Sequence, residues 1–175
     1  MDPLLTVTYY AGLADLASGP PIADPTAYGN TGNPQTIQAV VSSVAGCTDV
    51  TSFDIRVLPL PTPNTDPAAP EECDDDTDGD ATNGLTDFDL EAVALEIAGG
   101  EMVTVTIFDD AIFAEADPID PMTIVASAAT GWDFTNTVAG NQTLYARVDS
   151  DLPGNPCFVV VPFEVIVSPL PIVSS

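Results

Sequence analysis

The sequence has no histidine and no lysine. Arg56 and Arg147 are its only cations, set against 27 Asp and Glu in 175 residues, a formal net charge of −25. Displacing counterions from phosphates takes cations, so nucleic acid is excluded as a partner. An anionic membrane surface would repel the chain for the same reason. Without His or Lys there is no Ser-His-Asp triad, no Schiff base and no ordinary zinc site. Carboxylate chemistry, cation binding or no chemistry remain. Long apolar runs are missing too: the longest, such as 158–163, hold about six residues, where a spanning helix needs about 20. The start of the chain lacks the basic residues and apolar core of a signal peptide. Met1 leads directly into strand-like sequence, which reads as a fragment of a longer protein.

What is present is enough apolar content to fold. Apolar residues make up 45% and mean hydropathy is +0.23. Disorder requires high charge together with low hydrophobicity, and only the first condition holds.

An internal repeat organises the chain. Leu5-Thr6-Val7-Thr8-Tyr9-Tyr10 reads like Val103-Thr104-Val105-Thr106-Ile107-Phe108, an offset of 98. Tyr28-Gly29-Asn30-Thr31 matches Phe134-Thr135-Asn136-Thr137 at 106, and Gln35-Thr36-Ile37 matches Gln142-Thr143-Leu144 at 107. Cys47 to Pro61 matches Cys157 to Pro171 at 110, with Pro-Leu-Pro closing both. The order is kept and only loops lengthen. Residues 1–61 therefore read as the C-terminal part of one repeat and 73–175 as a complete one. Residues 62–72 form a Pro-rich junction, expected to be extended and semi-rigid.

The fold class predicted is all-β, in tandem sandwich repeats. Apolar residues alternate with period two at Leu5/Val7/Tyr9, Ile37/Ala39/Val41, Phe53/Ile55/Val57, Val103/Val105/Ile107, Leu144/Ala146/Val148 and Phe163/Val165/Val167. Gly, Pro, Asn and Asp clusters separate them. Many short strands with closely spaced turns point to an Ig-like sandwich. Near 89–98, Leu90, Val93, Ala94 and Ile97 fall at helical spacing, suggesting a short helix; a buried strand is the alternative.

Ten of the acids crowd into 71–91, EECDDDTDGDATNGLTDFDLE. Its core, Asp74-x-Asp76-x-Asp78-Gly79, is the first half of a calcium loop, in which alternate carboxylates converge and Gly permits the sharp turn. Many hard oxygen ligands favour Ca²⁺. An EF-hand would place Glu at position 85, which is Leu85, so the loop is a variant helped by Asp80 and closed by Asp87 or Asp89. The alternative is a solvated acidic linker. Asp149-Ser150-Asp151 and the group Asp109, Asp110, Glu115, Asp117 and Asp120 read as plain loops or solvated edges. A carboxylate-pair glycosidase finds no support in the spacing.

Of the three cysteines, Cys47 and Cys157 are repeat equivalents, and Cys73 lies in the section that the first copy lacks. One bridge per repeat would join Cys73 to Cys157; a Cys47–Cys73 bridge across the junction is the rival. Either implies an oxidising, extracytoplasmic setting.

The ordered set Cys-Asp-Asp-Asp-x-Asp-Gly, Phe-Asp-Leu, Val-Thr-Val-Thr, aromatic-x-Asn-Thr, Gln-Thr-Leu-Tyr-Ala-Arg-Val, Cys, and Phe-Glu-Val-x-Val-x-Pro-Leu-Pro resembles the tandem repeats of giant SprB-type surface adhesins of gliding Bacteroidota, exported by type IX secretion. The resemblance implies Ig-like modules strung into an extracellular filament on the cell surface, each mostly a spacer, with no enzymatic role. It implies neighbouring repeats of the same chain as partners, and substratum, polysaccharide or other filament subunits beyond them. A carbohydrate- or protein-binding module would instead need an aromatic platform, for which Trp132, Phe134 and Tyr145 are the candidates. A third reading is a subunit that accepts a strand from a neighbour.

Overall fold

A computed structural model describes residues 5–75, 79–80 and 82–171. The chain divides into two compact units, with the boundary between Leu58 and Pro59.

The first unit contains β1 (Leu5–Tyr10), α1 (Leu13–Ser18), β2 (Gln35–Ser43) and β3 (Thr48–Ile55). Its strands form one antiparallel sheet in the order β1-β2-β3. The second unit contains β4 (Glu71–Cys73), β5 (Asp87–Asp89), α2 (Glu91–Ala98), β6 (Val103–Phe108) and α3 (Ala111–Ala114). A 3-10 turn at Pro121–Thr123 follows, then β7 (Ala126–Ser127), β8 (Asp133–Thr135), β9 (Asn141–Ser150) and β10 (Phe158–Ser168). A five-stranded sheet runs β4-β10-β9-β6-β7, and β5 pairs with β8 in a separate ribbon. The class is all-β, as the alternation predicts, and the helical spacing at 89–98 yields α2.

The repeat holds down to register. Tyr9 faces Ala39 as Ile107 faces Ala146, and Ile37 faces Phe53 as Leu144 faces Phe163. Loop contacts recur as well. Thr31 N donates to Gln35 Oε1 and Thr137 N to Gln142 Oε1, both at 2.8 Å. Thus β1, β2 and β3 are the counterparts of β6, β9 and β10.

The second unit's core lies between the inner face of its large sheet and a cover made by the β5–β8 ribbon and α2. Val105, Ile107, Leu144, Val148, Val161 and Val165 from the sheet meet Phe88, Leu90, Val93, Ile97 and Phe134 from the cover. Strand alternation sends one set of side chains inward, and the i, i+3, i+7 spacing of Leu90, Val93 and Ile97 lays one helix face on them. Helix α2 stops at Gly99, whose φ of 61° is left-handed and whose N–H reaches back to the carbonyls of Glu96 and Leu95.

The Pro-rich segment is part of this unit rather than a free junction. Pro59 O accepts from Asn155 Nδ2, Asn64 N donates to Ile97 O, and Ile166 N donates to Pro70 O. The segment accordingly follows β10 from its beginning toward its end. Thr62 is held by Glu101 through both its N–H and its hydroxyl. Those bonds draw the Glu101 carboxyl below its ordinary value of 4.5, so the clamp is intact at neutral pH and is lost as acid protonates the carboxylate.

Candidate functional site

The acidic loop begins where β4 ends. Asp74 N donates to Ser168 O at 2.8 Å, fixing the start of the loop to the end of β10. Its side chain is only 3% exposed. Oδ2 accepts from Gly84 N at 2.9 Å, while Oδ1 is buried with no hydrogen-bond partner among the described residues. Leaving a charged oxygen dry and unpaired costs more than leaving a neutral one. The carboxylate lines a cleft of about 330 Å³ together with Asn83, Gly84, Gly140 and Val167.

The far side of the loop is pinned by backbone contacts. Gly84 has φ +74°, and a Cβ there would lie 2.9 Å from Gly140 N. That N–H donates to Gly84 O at 3.1 Å. Buried Asn136 ties the layers together. Its Oδ1 accepts from Thr86 N at 2.7 Å, and its Nδ2 donates to Gly84 O and Val138 O at 2.9 and 2.8 Å. The aromatic-x-Asn-Thr repeat was the sequence signal for this hub. Replacing it by Asn136→Ala strands the buried Thr86 N–H, at about 1–3 kcal/mol for a group left unpaired, and removes the bonds to Gly84 O, which keeps Gly140 N, and to Val138 O. We expect a net loss of about 2–4 kcal/mol and a melting temperature lower by roughly 10 °C or more, read by the fluorescence of Trp132.

The expected calcium ligands are only partly brought together. Asp76 and Asp78 lie outside the described residues. Asp80 is exposed, and its Oδ1 accepts from the N–H and hydroxyl of Thr82 at 3.1 and 2.7 Å. Asp87 and Asp89 point outward from β5 to other partners: Asp87 accepts from the Thr135 hydroxyl, and Asp89 accepts from Glu91 N at 2.9 Å at the start of α2. A strand paired to β8 commits both to local roles, so neither closes the loop as expected. Among the described residues, no three acidic or cysteine side chains cluster closely enough to hold an ion.

The predicted Cys73–Cys157 bridge is overturned. Cys73 pairs with Ser168 at the end of β10, whereas Cys157 immediately precedes its first residue, Phe158. At about 3.3 Å per residue the strand separates them by roughly 35 Å, while a disulfide needs Cα atoms within about 7 Å. Both cysteines are free, as is exposed Cys47, so the Cys47–Cys73 alternative is not formed either.

Other acidic positions have structural work that their spacing did not reveal. Asp110 caps α3 by accepting from Ile112 N at 2.8 Å, and Asp120 caps the 3-10 turn by accepting from Met122 N at 3.0 Å. Asp149, read as plain loop, lies on β9 and chelates Arg147 Nε with both oxygens, at 2.9 and 3.0 Å. Arg147 is 4% exposed, bonds the carbonyls of Ala114 and Ala116 through Nη1, and stacks 3.5 Å from the centre of the Phe158 ring. The signal was an Arg-x-Asp spacing, which puts both side chains on one face of a strand. The aromatic platform is not formed by its three candidates: Phe134 is in the core, Trp132 packs against that core, and Tyr145 is half-buried.

The model of the Flavobacterium inter-domain disulphide bond domain matches this chain twice, at residues 2–61 and 70–171. The chain belongs to that family. The two matches coincide with the two copies of the repeat, and the family's name agrees with the Bacteroidota resemblance. The family is named for a disulphide bond between domains. No curated protein matches the chain.

Proposed function

We propose that the chain is a non-enzymatic structural segment of a large extracellular surface adhesin, whose repeats are joined end to end by disulfides and locked by calcium. The observation that carries this reading is the placement of Cys73 and Cys157 at opposite ends of β10. Pro59, where the chain comes into the second unit, is bonded to Asn155, beside Cys157. Ser168, where β10 ends, lies beside Cys73. The chain therefore enters this unit near one thiol and leaves it near the other. Cys73 of one repeat would then meet the Cys157 counterpart of the next. Such bonds persist in an oxidising, cell-surface setting, which suits the type IX export and gliding role implied by the resemblance to SprB-type adhesins. Mass mapping of the oxidised protein under non-reducing conditions tests the arrangement. Cys73 is expected only in crosslinks between units; a Cys73–Cys157 bond within one unit sinks the proposal.

The calcium part of the reading rests on Asp74 Oδ1. We assign Asp74 as a ligand, with Asp80 and the Asp76 and Asp78 positions completing the set. Extracellular sites of this kind have dissociation constants of about 10⁻⁴–10⁻³ M. At a hundred times that value a ligand adds about 2.7 kcal/mol, or roughly 10–20 °C in melting temperature for a domain of this size. Asp74→Asn keeps an acceptor for Gly84 N and removes the buried charge. The variant should melt no lower than the parent in chelator and gain nothing from calcium. A parent protein whose melting is indifferent to calcium would refute the site.

A further inference from the structure

The first unit carries the counterparts of three strands of the second unit's sheet, without the same cover. Its β1, β2 and β3 repeat the register of β6, β9 and β10, so each inward side chain has a counterpart whose environment is known. The exposures diverge sharply. Phe163 is 5% exposed and its counterpart Phe53 45%; Val167 is 7% exposed and Val57 59%. Val105 is buried, whereas Val7 is exposed. In the second unit these positions are sealed by Phe88, Leu90, Val93 and Ile97. In the first, the same face opens as an apolar groove of about 300 Å³ lined by Tyr9, Ile22, Tyr28, Ile37, Phe53 and Ile55.

We propose that this groove is the seat of a cap segment of the 85–98 kind, with the spacing Phe-x-Leu-x-x-Val-x-x-x-Ile, carried by a like repeat joined ahead of β1 in the same polypeptide. The internal repeat names the occupant. Ile107, Leu144, Phe163 and Val165 are covered by such a segment in the second unit, and Tyr9, Ile37, Phe53 and Ile55 occupy the same register positions. The ribbon partner is present as well: Phe134, which sits opposite Phe88 in the β5–β8 ribbon, is matched by Tyr28, on the groove wall. Connectivity favours a cis source, because only residues 99–102 separate α2 from β6. This inference stands apart from the cysteine and calcium readings, since it uses none of their residues.

The test joins a second copy of residues 83–102 ahead of Leu5 in the full chain. Backbone amide exchange at Ile37, Phe53 and Ile55 should slow at least tenfold, and binding of a hydrophobic dye should fall. A control copy carrying Phe88→Asp and Leu90→Asp in the added segment should do neither. The proposal is overturned if the intact copy leaves exchange and dye binding unchanged. It is equally overturned if the unextended chain already dimerises with those amides protected, which would make a second copy the occupant.

Discussion

Arg147→Ala should lower the stability of the second unit by about 2–4 kcal/mol, because it removes charge-assisted hydrogen bonds made by a buried guanidinium to a half-buried carboxylate and two carbonyls. The arginine is almost wholly enclosed and serves three partners at once: the Asp149 carboxylate, two carbonyls in the α3 turn, and the Phe158 ring. Truncation leaves the half-buried Asp149 carboxylate and the carbonyls of Ala114 and Ala116 without their donor. Arg147→Lys should recover little, because a single ammonium has no planar fork with which to chelate Asp149 and reach the carbonyls as well. Both variants can be followed by chemical denaturation with Trp132 as the reporter. A loss under 1 kcal/mol for Arg147→Ala would show that water reaches these partners in the folded state.

The second large effect is a contrast between counterparts. Phe163→Ala removes a ring from a filled core and should cost about 3–5 kcal/mol. Phe53→Ala removes the equivalent ring from an open face, where nearly half of the residue already meets solvent. It should cost less than about 1 kcal/mol, in the range of surface substitutions. Amide exchange resolves the two units separately. Equal losses would show that the first unit's face is already closed in solution.

The strands were legible because a half-buried sheet imposes strict alternation, and alternation survives in sequence. The four ordered matches between copies gave the counterpart strands. Helix α2 was legible for the same reason, with the helical spacing of Leu90, Val93 and Ile97. The cysteine pairing was not. Counting one bridge per repeat ignores that β10 is eleven residues long and that Cys73 and Cys157 sit at its opposite ends. Asp87 and Asp89 misled in a similar way. Their spacing after the acidic core suits a loop, but Phe88 between them is buried, so the segment pairs as a strand and turns both carboxylates outward. Asn136 and Arg147 each have one partner two residues away and others 31 to 52 residues away, and local spacing encodes only the first. Nor does composition distinguish a Pro-rich linker from one that lies along a strand; hydrogen bonds from Asn64 and to Pro70 decide it.

The opposed ends of β10 also determine how the second unit would respond to tension along the chain. A pull applied through Pro59 and Ser168 draws the 59–73 segment one way and β10 the other. Their parallel pairing at Glu71–Cys73 is then loaded in shear, with its hydrogen bonds strained together instead of peeled one at a time. Resistance under such a load is set by the rate of forced unfolding rather than by equilibrium stability. The short parallel ladder, though small in area, would therefore act as the unit's tensile clasp.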